Sequence, residues 1–117
     1  VTPEAARQSY RRALRAAGGT VTVRRYYGSG SPRPKYEKDC LGKEDSYQSS
    51  EIVGPILQGD WKIILLAEDL ETGAVTLPLL PTDKVVVRGK ELTIAGIDDK
   101  KRRIGGVLCA YELQVRG

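Results

Sequence analysis

The most regular hydrophobic pattern lies near the C-terminus. In "VLCAYELQVR", Val107, Cys109, Tyr111, Leu113 and Val115 alternate with Ala110, Glu112, Gln114 and Arg116, and a period of two predicts a strand with the first set in the core. "WKIILLA" is the most apolar run: Trp61, Ile63 and Leu65 share one face, Ile64 and Leu66 the other. It reads as a strand covered on both sides, with Trp61 in the core. In "TVTVRRYY", Val21, Val23 and Tyr27 alternate with Thr20, Thr22 and Tyr26, which gives the first strand. "SEIVGPIL" reads as a strand interrupted by Gly54 and Pro55, as at an edge or a bulge. "EDLETG" is turn-rich, and "AVTLPLLP" leads to "DKVVVRGKELTIAGID", where Arg88-Gly89-Lys90 marks a tight reversal between two short strands.

The helical period occurs once, over residues 3–17. Ala6, Tyr10, Ala13, Leu14 and Ala17 share one face, while Arg7, Arg11 and Arg15 recur four apart on another with Arg12 beside them. Thr2 suits the N-cap, Pro3 the first helical position and Glu4 the positive end of the dipole; Gly18-Gly19 suggests a left-handed exit. Short strands with turn signals behind one helix predict a mainly β domain over residues 1–117, a small antiparallel β-barrel or sandwich. Residues 28–50, "GSGSPRPKYEKDCLGKEDSYQSS", have no apolar period. They predict a long flexible loop that adds little to the core, either a mobile insertion or a segment ordered by a partner.

Composition narrows the function classes. The 117 residues carry 19 lysines and arginines against 15 acidic residues, a net charge of +4 that favours weak contact with polyanions without requiring it. No apolar run is long enough for a membrane span, and no signal-like segment opens the sequence, so a cytosolic origin is the default expectation. Cys40 and Cys109 lack metal or redox spacing, and Cys109 reads as a small core residue. Histidine is absent, which removes Ser-His and Cys-His nucleophiles. "GSGS" lacks the Gly-Lys-Ser/Thr ending of a phosphate loop, and no motif pairs carboxylates on facing elements. The expectation is a non-enzyme without cofactor or metal.

The cations leave two readings open. The helix arginines either form a solvated basic face or meet an acidic partner or phosphates. "DDKKRRIGG", residues 98–106, reads first as a hairpin tip whose Lys100, Lys101, Arg102 and Arg103 project into solvent at one end of the barrel.

A helix ending in glycines, the strand "TVTVRRY", a long polar loop, "GDWKIILLAEDL" and "TDKVVVRGKELTIAGIDDKKRRIGGVLCAYELQVRG" together resemble the head-tail connector proteins of long-tailed bacteriophages and phage-like particles. The resemblance is to the head-closure, or stopper, type, and runs from about residue 20 onward. That family commonly carries a "GD.V...G..Y.I..V" cadence before its last strand; here Thr82-Asp83 stands in place of Gly-Asp. The resemblance implies a structural virion protein at the head-tail interface. Such subunits form a homo-oligomeric ring below the portal and adaptor rings, close the channel over packaged double-stranded DNA, and dock tail-terminator or tail-tube proteins. It implies no catalytic residues. It makes Arg33, Lys35, Lys38 and Lys43 in the long loop, with Lys100, Lys101, Arg102 and Arg103, the candidate channel or partner contacts. Arg7, Arg11, Arg12 and Arg15 become the candidate assembly face.

Two alternatives fit the same residues. One is an adaptor or tail-terminator ring protein. The other is an OB-type nucleic-acid-binding barrel, with Tyr26, Tyr27, Tyr36 and Tyr47 as stacking groups.

Overall fold

The computed structural model describes residues 2–46 and 59–117. The elements in chain order are α1 (Pro3–Ala17), β1 (Gly19–Tyr26), β2 (Lys35–Ser46), β3 (Trp61–Leu66), α2 (Ala67–Leu70), β4 (Lys84–Val87), β5 (Lys90–Asp98), β6 (Arg103–Ile104), β7 (Val107–Leu108) and β8 (Ala110–Arg116). Six strands close an antiparallel barrel in the order β1-β2-β3-β8-β5-β4, and β6 and β7 form a separate two-stranded ribbon. The barrel is closed and has six strands, unlike the partly open five-strand OB barrel. No helix among the described residues is long and apolar enough to cross a membrane.

The alternating patterns set the interior. Val21, Val23, Ile63, Leu65, Val85, Val87, Leu92, Ile94, Tyr111, Leu113 and Val115 point into one core cluster. In β5 the register shifts between Ile94 and Gly96 against β8. The extra residue, Ala95, bends the strand and helps the barrel close. The β4–β5 reversal falls at Arg88 and Gly89, both at positive φ (50° and 78°), as a two-residue hairpin of matching twist requires. "AVTLPLLP" is not a strand; it brings Val75 and Leu79 into the core where β3 ends and β4 begins. Its apolar period of two serves to plug one end of the barrel.

Residues 28–50 are not one flexible loop. Lys35–Ser46 is the longest strand of the barrel, paired with β1 from Lys35 to Gly42 and with β3 from Gly42 to Ser46. The expectation that this stretch adds little to the core is therefore corrected as well. Its period was hidden because the inward positions are Tyr36, Lys38, Cys40, Gly42 and Glu44, with little apolar volume among them. Gly42 is small for a reason: a Cβ there would lie 2.8 Å from Val21 and 2.9 Å from Leu65. Cys40 is buried, and desolvation pushes its thiol up to about 12, so it behaves as an inert core residue. The strand read at "SEIVGPIL" lies outside the described residues, as does the end of the 28–50 segment.

Three smaller expectations also change. Trp61 is 44% exposed at the start of β3 and is not a core residue; the strand's first inward position opens at the barrel's end. A second, short helix, α2, follows β3 directly within the stretch read as turn. Helix α1 spans the expected residues, with Thr2 Oγ1 accepting from the Ala5 N–H at 3.1 Å. Its exit is not left-handed: Gly18 is extended, with φ −123°. Glycine is needed there for close approach, because a Cβ would stand 2.0 Å from the Gly42 carbonyl oxygen.

Candidate partner-contact surfaces

The first cationic region surrounds α1. Ala6 and Leu14 are buried against the barrel, and the small residues of that face let the helix lie close. Its arginines reach the barrel from the sides. Arg7 donates to both Glu71 carboxylate oxygens, at 2.8 and 2.6 Å, and to the Leu108 carbonyl. Arg11 donates to Glu68 and Asp69 at 2.6 and 2.8 Å. The bond from Arg7 holds the Glu71 carboxyl below its ordinary range, and the same bond raises Arg7. Arg12 and Arg15 remain exposed. Of the four residues on the candidate assembly face, two are thus engaged inside the molecule.

Residues 98–106 sit against the same helix. The Asp98 carboxylate accepts the backbone N–H groups of Lys101 and Lys100, which lower its pKa, and starts the turn. Gly105 and Gly106, both at positive φ, form the tip between β6 and β7. The segment joins the paired strands β5 and β8, as a hairpin connection would, but it carries a ribbon of its own, β6 with β7, of two residues each, so the turn lies at Gly105-Gly106 and not at the four cations. Arg102 lies 5.9 Å from the Tyr10 ring, donates to Tyr10 Oη at 3.3 Å and to Glu112 at 2.9 Å. Lys101 donates to the other Glu112 oxygen at 3.1 Å. Burial alone would push the Glu112 carboxyl up; the bonds from Arg102 and Lys101 outweigh it and leave the group below its ordinary range. Arg103 donates to the Asp99 and Gly106 carbonyls, while Lys100 is exposed. The fully solvated tip is thus corrected: Arg102 is a half-buried link between hairpin, helix and barrel.

The second region is the far end of the β1–β2 ribbon. Residues paired across an antiparallel ladder share a face, so the pairs Arg24–Glu37 and Tyr26–Lys35 lie on one side and Arg25–Tyr36 on the other. On the outer side Arg24 bridges Glu37 and Glu91 at 2.9 and 2.8 Å, and Tyr26 donates to Glu91 at 2.6 Å. On the inner side Arg25 donates to both oxygens of the fully buried Asp83 at 2.8 Å and to the carbonyls of Thr76 and Pro78. The Leu80 N–H completes the shell of Asp83. This ion pair roots the ribbon on the connection that plugs the barrel. Beyond it Tyr27 and Tyr36 stack with centroids 4.4 Å apart and planes 18° from parallel, each 43% exposed.

The remaining candidates scatter. Arg33 lies at the ribbon's end, donating to the Gly28 carbonyl and facing the Tyr26 ring at 5.6 Å; Lys35 is exposed beside it. Lys38 lays its stem against Gly73. Lys43 lies on the barrel wall, lining a shallow cleft of about 190 Å³ with Tyr10, Ala13, Leu14, Ala17, Ile64 and Arg102. Strand directions put the β1–β2 tip and residues 98–106 at the same end of the barrel, with Lys43 apart from both. At the opposite end, Arg88 pairs with Glu44 between two open clefts of about 390 and 340 Å³. Tyr47 lies outside the described residues. The Arg25–Asp83 pair was missed by sequence reasoning, although Asp83 lies in the stretch "TDKVVV" that the sequence singles out. Among the described residues no group of three or more Cys, Asp or Glu is placed to hold a metal ion.

Comparison with known proteins finds no matching family model. It also finds no match among curated proteins or among solved structures.

Proposed function

We propose that the chain is a structural subunit of the neck of a long-tailed phage or phage-like particle, of the head-closure type. One observation carries this reading: the segments that resemble connector proteins are neighbours in space. "GDWKIILLAEDL" supplies β3 and α2, and the segment from Thr82 to Gly117 supplies β4 to β8. Together they build the continuous wall β3-β8-β5-β4. A barrel whose wall strands pair with one another has few free strand edges, so assembly would use side-chain surfaces at its ends and on α1. A homo-oligomeric ring below the portal and adaptor would join copies through such surfaces, with Arg12, Arg15 and Lys100 as exposed groups. Contact with packaged double-stranded DNA would need only phosphate attraction.

The test is electron microscopy of lysates from producer cells with and without this gene. Unjoined heads, filled or leaking, beside free tails in the deletion strain are the expected result. Normally joined particles in that strain would overturn the reading. Labelling the protein in intact particles separates head closure from the adaptor and tail-terminator alternatives, because each occupies its own level of the neck.

A further inference from the structure

We propose that the tip of the β1–β2 ribbon binds single-stranded nucleic acid, with Tyr27 and Tyr36 stacking on a nucleobase and Arg33 and Lys35 holding the adjoining phosphates. The site goes beyond the neck reading, since phosphate attraction by a ring needs cations but gives no use to exposed aromatic faces. Tyr27 and Tyr36 already stack on each other and each is 43% exposed, so the pair is pre-oriented with ring surface open to solvent. An unstacked base can extend that pile at small ordering cost, and any base has a π-face to offer. Duplex DNA keeps its bases stacked inside and cannot.

The charges around the pair fit a polyanion. The nearby carboxylates are already held: Glu37 and Glu91 by Arg24, and Asp83 by Arg25. Among the described residues Arg33 and Lys35 form no ion pair. Arg33 is steadied by the Gly28 carbonyl and the Tyr26 ring, which leaves guanidinium N–H groups for a phosphate. Lys35 lies across the ladder from Tyr26, and the Tyr27 N–H bonded to the Pro34 carbonyl at 3.0 Å keeps the two arms of the ribbon together toward the tip. The elements are those of a sequence-tolerant single-strand contact: aromatic faces on a stiff ribbon, with unneutralised cations alongside.

The experiment is fluorescence anisotropy of the full chain with a labelled 20-nucleotide oligo-dT and, separately, the same length of duplex, at low and moderate salt. The single strand is expected to bind more tightly than the duplex. Tyr27→Ala and Tyr36→Ala should each weaken it about tenfold, with Tyr36→Phe retaining affinity. Arg33→Ala with Lys35→Ala should weaken binding and flatten its salt dependence. Melting curves for every variant separate loss of the site from loss of fold. Equal affinity for single strand and duplex, or alanine variants that bind as the native chain does, would overturn the proposal. So would binding of an acidic peptide at the tip with no binding of the oligonucleotide. Particle joining in the deletion strain is a separate readout, so failure here leaves the neck reading standing and the reverse also holds.

Discussion

The helix side and the β1–β2 tip are made of the same residue types, and each holds both fastened and exposed cations, but what the ion pairs fasten differs. Around α1, Arg7, Arg11 and Arg102 meet Glu71, Glu68 with Asp69, and Glu112; the cations fasten the helix and the hairpin to the barrel. At the tip, Arg24 and Arg25 take up the local carboxylates, and among the described residues Arg33 and Lys35 stay outside any ion pair. A basic cluster in a sequence therefore does not say whether it is a fastening or a contact surface. The deciding quantity is how many carboxylates the fold brings within reach.

The comparison can be broken most severely at the root of the ribbon. Deleting residues 30–46 removes β2 from the barrel, and circular dichroism should show an unfolded chain; a retained β-sheet spectrum would refute the strand assignment. Asp83→Ala strips the half-buried Arg25 of its partner and should cost about 3–5 kcal/mol in urea unfolding. Leu113→Ala in the shared core gives a reference of about 2–5 kcal/mol. On the helix side, Arg102→Ala leaves the Glu112 carboxylate, 10% exposed, without its best donor, and should cost about 1–3 kcal/mol. At the tip, Arg33→Ala and Lys35→Ala should each stay within about 0.5 kcal/mol of the native chain.

Acid reaches both regions. Glu71, Glu112 and Asp98 on the helix side, and Glu91 beside the ribbon, have folded pKa values lowered from their ordinary ones. Groups so lowered stabilise the fold above their unfolded pKa of about 4, and that stability is lost as pH falls through the folded value. Urea midpoints should therefore drop below about pH 4, and the drop should be smaller in Glu112→Gln. An equal drop in that variant would show that Glu112 is not among the groups responsible.

Much of the fold was legible because apolar alternation reports burial directly. Val21 and Val23, Ile63 and Leu65, and Tyr111, Leu113 and Val115 all enter the core cluster, and the caps of α1 wrote its start. β2 was illegible because its inward positions are filled by Gly42, by the thiol of Cys40 and by the stem of Lys38, with the bulk supplied by neighbours. Trp61 was misplaced because alternation gives the face of a strand but not where the barrel ends. The candidate contacts were legible as residue types only. Which arginines bind inside the molecule depends on carboxylates distant in the chain: Glu71 for Arg7, Asp69 for Arg11 and Asp83 for Arg25.

The most direct test compares the thermal unfolding of two neutralised proteins: Arg7→Gln with Arg11→Gln and Arg102→Gln, and Arg33→Gln with Lys35→Gln. The first should melt lower than the native chain by about 5 °C or more, and the second should melt with it. Equal melting of the two variants, or a larger loss at the tip, would contradict the division between fastening and contact cations.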